Sequence, residues 1–330
     1  MSDPPPDRPL VTFALFAYNQ EQYIREAVEG AFSQTYEPLE IILSDDCSSD
    51  RTFEIMQEMA AAYEGPHEVR IRRNTKNFGV GPHVSTVLSE SNGEYIAFAA
   101  GDDISENDRI EHAINAVLKA TKIDSNPFGV SLLSALSLID ANGVKFGSQK
   151  VPKGWNKAVC LDNEQRLYSF NISNLLNGTL TTSGPSRIIH RSVYTLFGGI
   201  GDDCFTEDIV YLFRTALVGS VLYSDREAVR YRKHQDNLSA PTSLYARCFL
   251  GVERQLRADL ETAEMHGLIT KQNKQLASDW IDANVAFRAF YRAKLDGQRP
   301  DVRNLLRIFN ARHLTVRRKF GIFREYLGVR

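Results

Sequence analysis

Two pairs of aspartates stand where an α/β sheet places its ligands. The apolar run Leu39-Glu40-Ile41-Ile42-Leu43 leads into Ser44-Asp45-Asp46-Cys47-Ser48-Ser49-Asp50, and Glu94-Tyr95-Ile96-Ala97-Phe98-Ala99-Ala100 leads through Gly101 into Asp102-Asp103. Each reads as a strand that delivers carboxylates at its C-terminal end. Open α/β sheets bind ligands outside the carboxyl ends of their strands. Clustered carboxylates there suit a hard cation, Mg²⁺ or Mn²⁺, and through it a phosphate. The pattern points to a metal-dependent enzyme acting on a phosphorylated or nucleotide-linked substrate.

The elements needed to position these residues are legible. Leu10 to Ala17 is a near-continuous apolar run, as in a strand buried on both faces. Asn19, with Gln22 three residues on, reads as a helix N-cap, and Ile24, Ala27, Val28, Ala31 and Phe32 follow at helical spacing. The pattern predicts further helices over 52–63 and 83–91, strands near 69–71 and 95–100, and a capping box at Ser105-x-x-Asp108 before a helix with Ile110, Ala113, Ile114, Val117 and Leu118 on one face. Repeated β-α-β order predicts an α/β fold with a Rossmann-like, mostly parallel central sheet flanked by helices. Beyond it, 128–139 and 180–190 read as strands, 207–217 as a helix and 221–223 as a strand. From Tyr245 on, helix formers dominate an appended C-terminal segment.

The chain has 330 residues, 43% hydrophobic and 24% charged, with a net charge of −2, which is ordinary globular composition and gives no global attraction to nucleic acid. Cys47, Cys160, Cys204 and Cys248 are scattered without a CxxC pair, so neither a zinc site nor a disulfide framework is expected. The first nine residues are polar and proline-rich, expected to be disordered and unlike a signal peptide, and no run approaches the ~18 apolar residues of a membrane span. A cytoplasmic location is the expectation. The stretch Arg303–Arg330 carries eight Lys/Arg against the single acid Glu325, interleaved with Leu314, Phe320, Ile322, Phe323 and Leu327. It suits either peripheral contact with an anionic membrane at its inner face or a helix with a solvated basic side.

Four blocks in this order resemble the family 2 inverting glycosyltransferases, which have the GT-A fold. They are Phe16-Ala17-Tyr18-Asn19 with Ser33-Gln34-Thr35-Tyr36; Ser44-Asp45-Asp46-Cys47-Ser48-Ser49-Asp50-Arg51-Thr52; Gly93-Glu94-Tyr95-Ile96-Ala97-Phe98 leading to Asp102-Asp103; and Glu207-Asp208 followed by Tyr231-Arg232-Lys233-His234-x-x-Asn237-x-Ser239. The resemblance covers roughly residues 10–240. It divides the chain into a nucleotide-sugar-binding half over 10–110, an acceptor-binding and catalytic half over 111–242, and a helical extension with a basic tail over 243–330.

The resemblance implies transfer of a sugar from a nucleotide-diphosphate donor, foremost a UDP-sugar, to a hydroxyl of a glycan or lipid-linked glycan in cell-surface polysaccharide or glycolipid assembly. Phe16 and Tyr18 fall in the donor site. Tyr18 supplies an aromatic contact to the base, and Asp46 an acceptor for a ring N–H. Asp45 either joins it or bonds local turn amides. Asp102, Asp103 and His234 are the metal set. A Mn²⁺ or Mg²⁺ ion there neutralises the diphosphate as it departs. The commoner family pattern has an aspartate two places before Asp102, where this chain has Ala100, so one potential ligand is missing. Arg232 and Lys76 are candidate diphosphate contacts. Asp208 is the expected general base, with Glu207 capping its helix or meeting the acceptor; Asp202 and Asp203 are the alternative. Other readings are a sugar-nucleotide nucleotidyltransferase, against which the absence of a glycine-rich basic loop after the first strand counts, and a non-catalytic nucleotide- or glycan-binding protein.

Overall fold

The computed structural model describes residues 8–123, 130–149, 159–162, 167–170, 172, 184–235, 237, 249–310 and 316–327. The described strands are β1 (Val11–Ala17), β2 (Leu39–Asp45), β3 (Glu68–Arg73), β4 (Tyr95–Ala100), β5 (Ile104–Ser105), β6 (Val130–Ile139), β7 (Lys145–Gln149), β8 (Val159–Asp162), β9 (Leu167–Phe170), β10 (Ile188–His190) and β11 (Ser220–Arg232). They form one sheet in the order β3-β2-β1-β4-β10-β6-β11-β9-β8, with β5 added to β11 and β7 to β6. The helices are α1 (Ile24–Phe32), α2 (Thr52–Ala61), α3 (Val80–Glu90), α4 (Arg109–Ile123), α5 (Arg191–Phe197), α6 (Asp208–Val218), α7 (Leu250–Met265), α8 (Lys271–Leu295), α9 (Val302–Asn310) and α10 (Val316–Leu327).

The period-2 alternation of the inner strands divides the core between two faces. Val11, Phe13 and Leu15 of β1 and Tyr95, Ala97 and Ala99 of β4 pack with Ile24 and Val28 of α1 and Ile110, Ile114 and Val117 of α4. Ala14, Ile96 and Phe98 point the other way, onto Val84, Val87 and Leu88 of α3 and Val210, Leu212 and Phe213 of α6. With both faces covered, β1 and β2 are buried almost throughout, as expected for parallel strands inside an α/β layer structure.

Strand direction decides where the functional residues gather. β1, β2, β3 and β4 are mutually parallel. The short β10 is antiparallel to both β4 and β6, so β6 runs with β4, and β11 is parallel to β6. The carboxyl ends of β1, β2, β4, β6 and β11 therefore share one edge.

Local details differ from the sequence expectations. Asn19 does not cap α1, whose N-cap is Tyr23. Asn19 sits at φ 50 and its side chain accepts from Ser49 N at 2.8 Å, while its own N–H donates to Ser48 Oγ at 2.8 Å. A capping-type side chain has been taken by a neighbouring loop. Ser105 likewise lies in β5 and accepts from Arg109 Nη1 rather than capping α4. Within 180–190, only 184–190 are described: a 3₁₀ turn over Gly184–Ser186, then β10. β11 extends well beyond 221–223.

The helical extension completes the core. Val252, Leu256 and Leu260 of α7 and Ala277, Trp280 and Ile281 of α8 belong to the same apolar cluster as α6. The Trp280 and Phe213 rings stack at 5.8 Å, and Arg214 forms a buried ion pair with Asp259. Only the end of α8, α9 and α10 form a cluster of their own, around Phe290, Leu305, Ile308 and Ile322. Among the described residues no helix is long and apolar enough to cross a membrane.

Candidate active site

On the shared carboxyl edge, Tyr18 directly follows β1 and is 46% exposed, an open aromatic residue. Phe16, half-buried, sits beneath it with its ring edge-on to His83 at 5.3 Å and tilted against Phe98 at 5.8 Å. The neighbouring β2 ends at Asp45, which accepts from Ser48 N at 2.9 Å and pairs with Arg73 Nε at 3.2 Å.

Asp46 departs from its expected role. It is buried, and Asn74 Nδ2 at 2.6 Å and Phe78 N at 2.9 Å donate to one oxygen while Gly79 N at 2.9 Å donates to the other. Both oxygens are engaged in holding the 74–79 loop, because a buried carboxylate is satisfied first by the amides nearest it. Gly79 adopts φ 80, which glycine adopts at no steric cost. Lys76 stands exposed on this loop, its Nζ 5.9 Å from the Phe78 ring.

Beyond β4, Asp102 Oδ2 lies 2.9 Å from His234 Nε2, and Asn237 Nδ2 approaches the same oxygen at 3.4 Å. The His234 amide donates to Asn237 Oδ1 at 2.7 Å, and the imidazole packs on Tyr23 at 5.0 Å. His234 Nδ1 is buried without a hydrogen-bond partner. The carboxylate of Asp102 and the Nε2 that faces it would together suit a divalent cation that takes its remaining ligands from diphosphate and water.

Asp103 and Arg232 do not join that pair. Successive residues of extended chain face opposite ways, and Asp103 turns inward, accepting from Arg232 N at 2.8 Å. Burial, reinforced by the charge of Asp102, pushes its carboxyl well above the usual range. Among the described residues no three His, Cys, Asp or Glu side chains gather as a metal cluster. Arg232 is buried too: it donates to the carbonyls of Asp102 (3.0 Å), Asp140 (3.3 Å) and Ala141 (3.1 Å), pairs with Glu26 and lies over the Tyr23 ring. It braces the carboxyl edge and has little left for a phosphate. An open cleft of about 720 Å³ borders this half, lined by Gln22, Tyr23, Asp140, Asn142, Lys233 and His234 among others.

The acid pair Glu207-Asp208 starts α6, Glu207 as N-cap and Asp208 as the first helical residue. Position follows from register. Ile188 pairs with Ala97 in antiparallel sense, so residues 184–187 run alongside the carboxyl half of β4. Gly184 there lies so close to the pair that a methyl group on it would collide with Asp208 Oδ1 and Glu207 Oε1. The acids thus stand at the same edge as Asp102. Burial, then the charge of Asp208, pushes Glu207 up to about 8. Asp208 keeps 31% of its side chain exposed and lies 3.7 Å from Arg187 Nη1. Of the two acids, Asp208 is the one that reaches solvent. Asp202 and Asp203 are exposed in the preceding loop, with Asp203 paired to Arg254.

Gly184, Arg187 and Tyr23 escaped the sequence reading. The available signal was an arginine embedded in the apolar stretch Ser186-Arg187-Ile188-Ile189. Apolar strand centres rarely hold an unpaired charge.

Residues 12–194 match the family model for glycosyl transferase family 2, and the chain belongs to that family. An uncharacterized protein of Mycobacterium tuberculosis is 34% identical over 147 residues, 44% of this chain. The chain spans only 40% of that relative's length. Among solved structures, S. aureus TarS 1-349 in complex with UDP-GlcNAc superposes with a TM-score of 0.57 at 19% identity, covering 87% of this chain and 74% of that one. The mannosyltransferase PcManGT from Pyrobaculum calidifontis, in complex with GDP-Man and Mn²⁺, gives 0.55 at 16% identity, covering 98% and 86%. These similarities show the shared GT-A-type fold.

Proposed function

We propose that this member of glycosyl transferase family 2 transfers a sugar, with inversion, from a UDP-sugar to a hydroxyl of a glycan or lipid-linked glycan acceptor. The observation that carries the reading is the acid pair at the start of α6. Burial pushes the Glu207 carboxyl up to about 8, while Asp208 beside it keeps 31% of its side chain exposed to solvent. Asp208 takes the proton of the acceptor hydroxyl as that oxygen bonds to the anomeric carbon. The carbon's bond to the diphosphate oxygen breaks, and the electron pair leaves with UDP. Attack opposite the leaving group inverts the anomeric centre. Tyr18 gives the base a stacking surface, and Phe16 supports the strand end beneath it. Asp102 and His234 hold the diphosphate end, and a bound Mg²⁺ or Mn²⁺ supplies charge neutralisation there. Asp46 shapes the donor pocket through the 74–79 loop, and Lys76 is a diphosphate contact from that loop. The UDP-GlcNAc bound by TarS and the GDP-Man and Mn²⁺ bound by PcManGT support a nucleotide-sugar donor and a divalent ion.

The test is UDP release from a panel of UDP-sugars, with Mn²⁺ and with chelator. One donor turned over only with metal is the expected result. No turnover and no binding of any nucleotide under either condition would overturn the reading in favour of a non-catalytic protein.

Contact with a cytoplasmic membrane face is proposed for the chain's end. Val302 and Leu306 of α9 and Phe320 and Phe323 of α10 are exposed beside Arg303, Arg307 and Lys319. Exposed apolar groups flanked by cations suit an anionic bilayer surface. Co-sedimentation with phosphatidylglycerol vesicles but not phosphatidylcholine vesicles is expected, and loss of it in Arg303→Glu/Arg307→Glu. Equal sedimentation of that variant contradicts the assignment.

A further inference from the structure

Four arginines are among the largest fully buried side chains: Arg109, Arg187, Arg214 and Arg232. Three are bonded in place. Arg109 donates to Ser105 Oγ and to the carbonyls of Phe98 and Arg187. Arg214 grips Asp259 and two glycine carbonyls. Arg232 braces the carboxyl edge, as described above. Arg187 is the exception: it is 0% exposed, and its Nε, Nη1 and Nη2 have no hydrogen-bond partner. A buried guanidinium is tolerated when charge or hydrogen bonds compensate its lost hydration, so its surroundings must supply a countercharge.

They supply one. Asp208 Oδ1 lies 3.7 Å from Arg187 Nη1, and that oxygen is itself without a hydrogen bond. Among the described residues, the charged and titratable groups facing the guanidinium besides Asp208 are Glu207 and Tyr211 of α6. The Tyr211 hydroxyl is buried and unpartnered. Arg109 approaches only the Arg187 carbonyl, at 3.3 Å. Cys204, before α6, faces Glu207, and the Arg214–Asp259 pair lies further along the helix toward Tyr211.

We propose that Arg187 is a positioning residue for the transfer: from behind the acid pair, its buried charge, 3.7 Å from Asp208, holds that carboxylate in place to take the acceptor's proton, while Glu207 beside it carries its own. This rests on the reading of Asp208 as the base. The geometry suits the task because the contact is electrostatic rather than bonded. A bidentate grip, such as Arg214 has on Asp259, would occupy both carboxylate oxygens. At 3.7 Å Arg187 attends the buried Oδ1 of Asp208 and leaves the solvent-reaching side of the carboxylate free to accept the acceptor's proton. Being fully buried, it touches no substrate. The carboxyl of Glu207, pushed up to about 8 by burial and then by the charge of Asp208, accords with a proton parked there.

The test is the pH dependence of kcat in the full chain for wild type, Arg187→Met, Arg187→Gln and Arg187→Lys. An opposite charge within ~4–6 Å lowers an acid's pKa by roughly 1–3 units. Removing that charge should move the acid limb of the profile up by about one pH unit or more in both neutral variants. Near the wild-type limb that is a tenfold loss, recovered at higher pH. Donor KM and UDP affinity should stay unchanged, and Arg187→Lys should keep the limb near its wild-type position. An unmoved limb, or a loss uniform across pH, overturns the proposal. Failure of both neutral variants to fold also overturns it, because Arg187 is then structural. The control is Asp208→Asn. If that variant still transfers, the base assignment has failed. If it loses transfer while the Arg187 variants keep the wild-type limb, only the positioning role has failed.

Discussion

Helix α6 meets two buried arginines, one at each stage of its length, and they are housed in opposite ways. In its middle, Arg214 is held by Asp259 at 2.8 and 3.0 Å and by the carbonyls of Gly198 and Gly199 at 2.7 and 3.0 Å, with Gln255 donating to Asp259 at 2.9 Å. At its start, the Arg187 guanidinium and Asp208 Oδ1 have no hydrogen bond among the described residues, and the Glu207 carboxyl is pushed up to about 8. A structural ion pair satisfies every group it buries, since an orphan is costly. A site that must take up a proton or a substrate keeps groups unsatisfied until the ligand arrives. The first region fastens α7 to the sheet domain. The second is where the proposed transfer takes place.

If the contrast is right, breaking the Arg214 pair should damage stability and spare catalysis. Asp259→Ala strands a buried guanidinium, which costs about 3–5 kcal/mol. Denaturant unfolding should show that loss, with kcat per folded molecule close to wild type. A normal unfolding midpoint would mean that the pair is not the fastening described here.

The opposite outcome is expected at the start of the helix. Gly184→Ala places a methyl against Asp208 Oδ1 and Glu207 Oε1. Displacing a catalytic group by about an ångström can cost on the order of 10²-fold in rate. A drop of that size in kcat with little change in donor KM is expected; an unchanged kcat would show that the acids tolerate displacement.

Glu207 sharpens the contrast through pH. Its folded pKa of about 8 is raised above the unfolded carboxyl value. Folding therefore favours its protonated form. That stability is fully present below about pH 4.3, the unfolded Glu value, and is lost as pH rises through about 8. Glu207→Gln cannot ionise, so its stability relative to wild type should grow across that window, by at most about 1.4 kcal/mol per pH unit. A pH-independent difference would mean that Glu207 ionises normally. The Arg214 pair should show no comparable dependence near neutrality.

Much of this was legible in the sequence, for physical reasons. Period-2 alternation and helical spacing follow from burial, so β1, β2, β4, α2 and α4 could be read from their apolar faces. The acid turns were visible because strand ends and helix starts carry recognisable residue types. What each carboxylate faces was not legible. Asp102 and Asp103 differ by one step along the chain, yet one meets His234 and the other points inward at the Arg232 amide. Asp46 meets the 74–79 loop, about thirty residues on, which no local pattern encodes. Arg232 carried a phosphate-binding look, but its bonds go to backbone carbonyls and Glu26. Arg187 has no motif at all, and only the β10–β4 register sets it behind Asp208.

The most direct test of the central claim is a paired measurement on Asp208→Asn: sugar transfer from the donor, and calorimetric binding of UDP with Mn²⁺. The substitution keeps size and removes only the ability to take a proton. A general base contributes about 10²–10⁴-fold, so transfer should fall by that factor while UDP affinity and thermal stability stay at wild-type values. Transfer at the wild-type rate would contradict the assignment of Asp208 as the base.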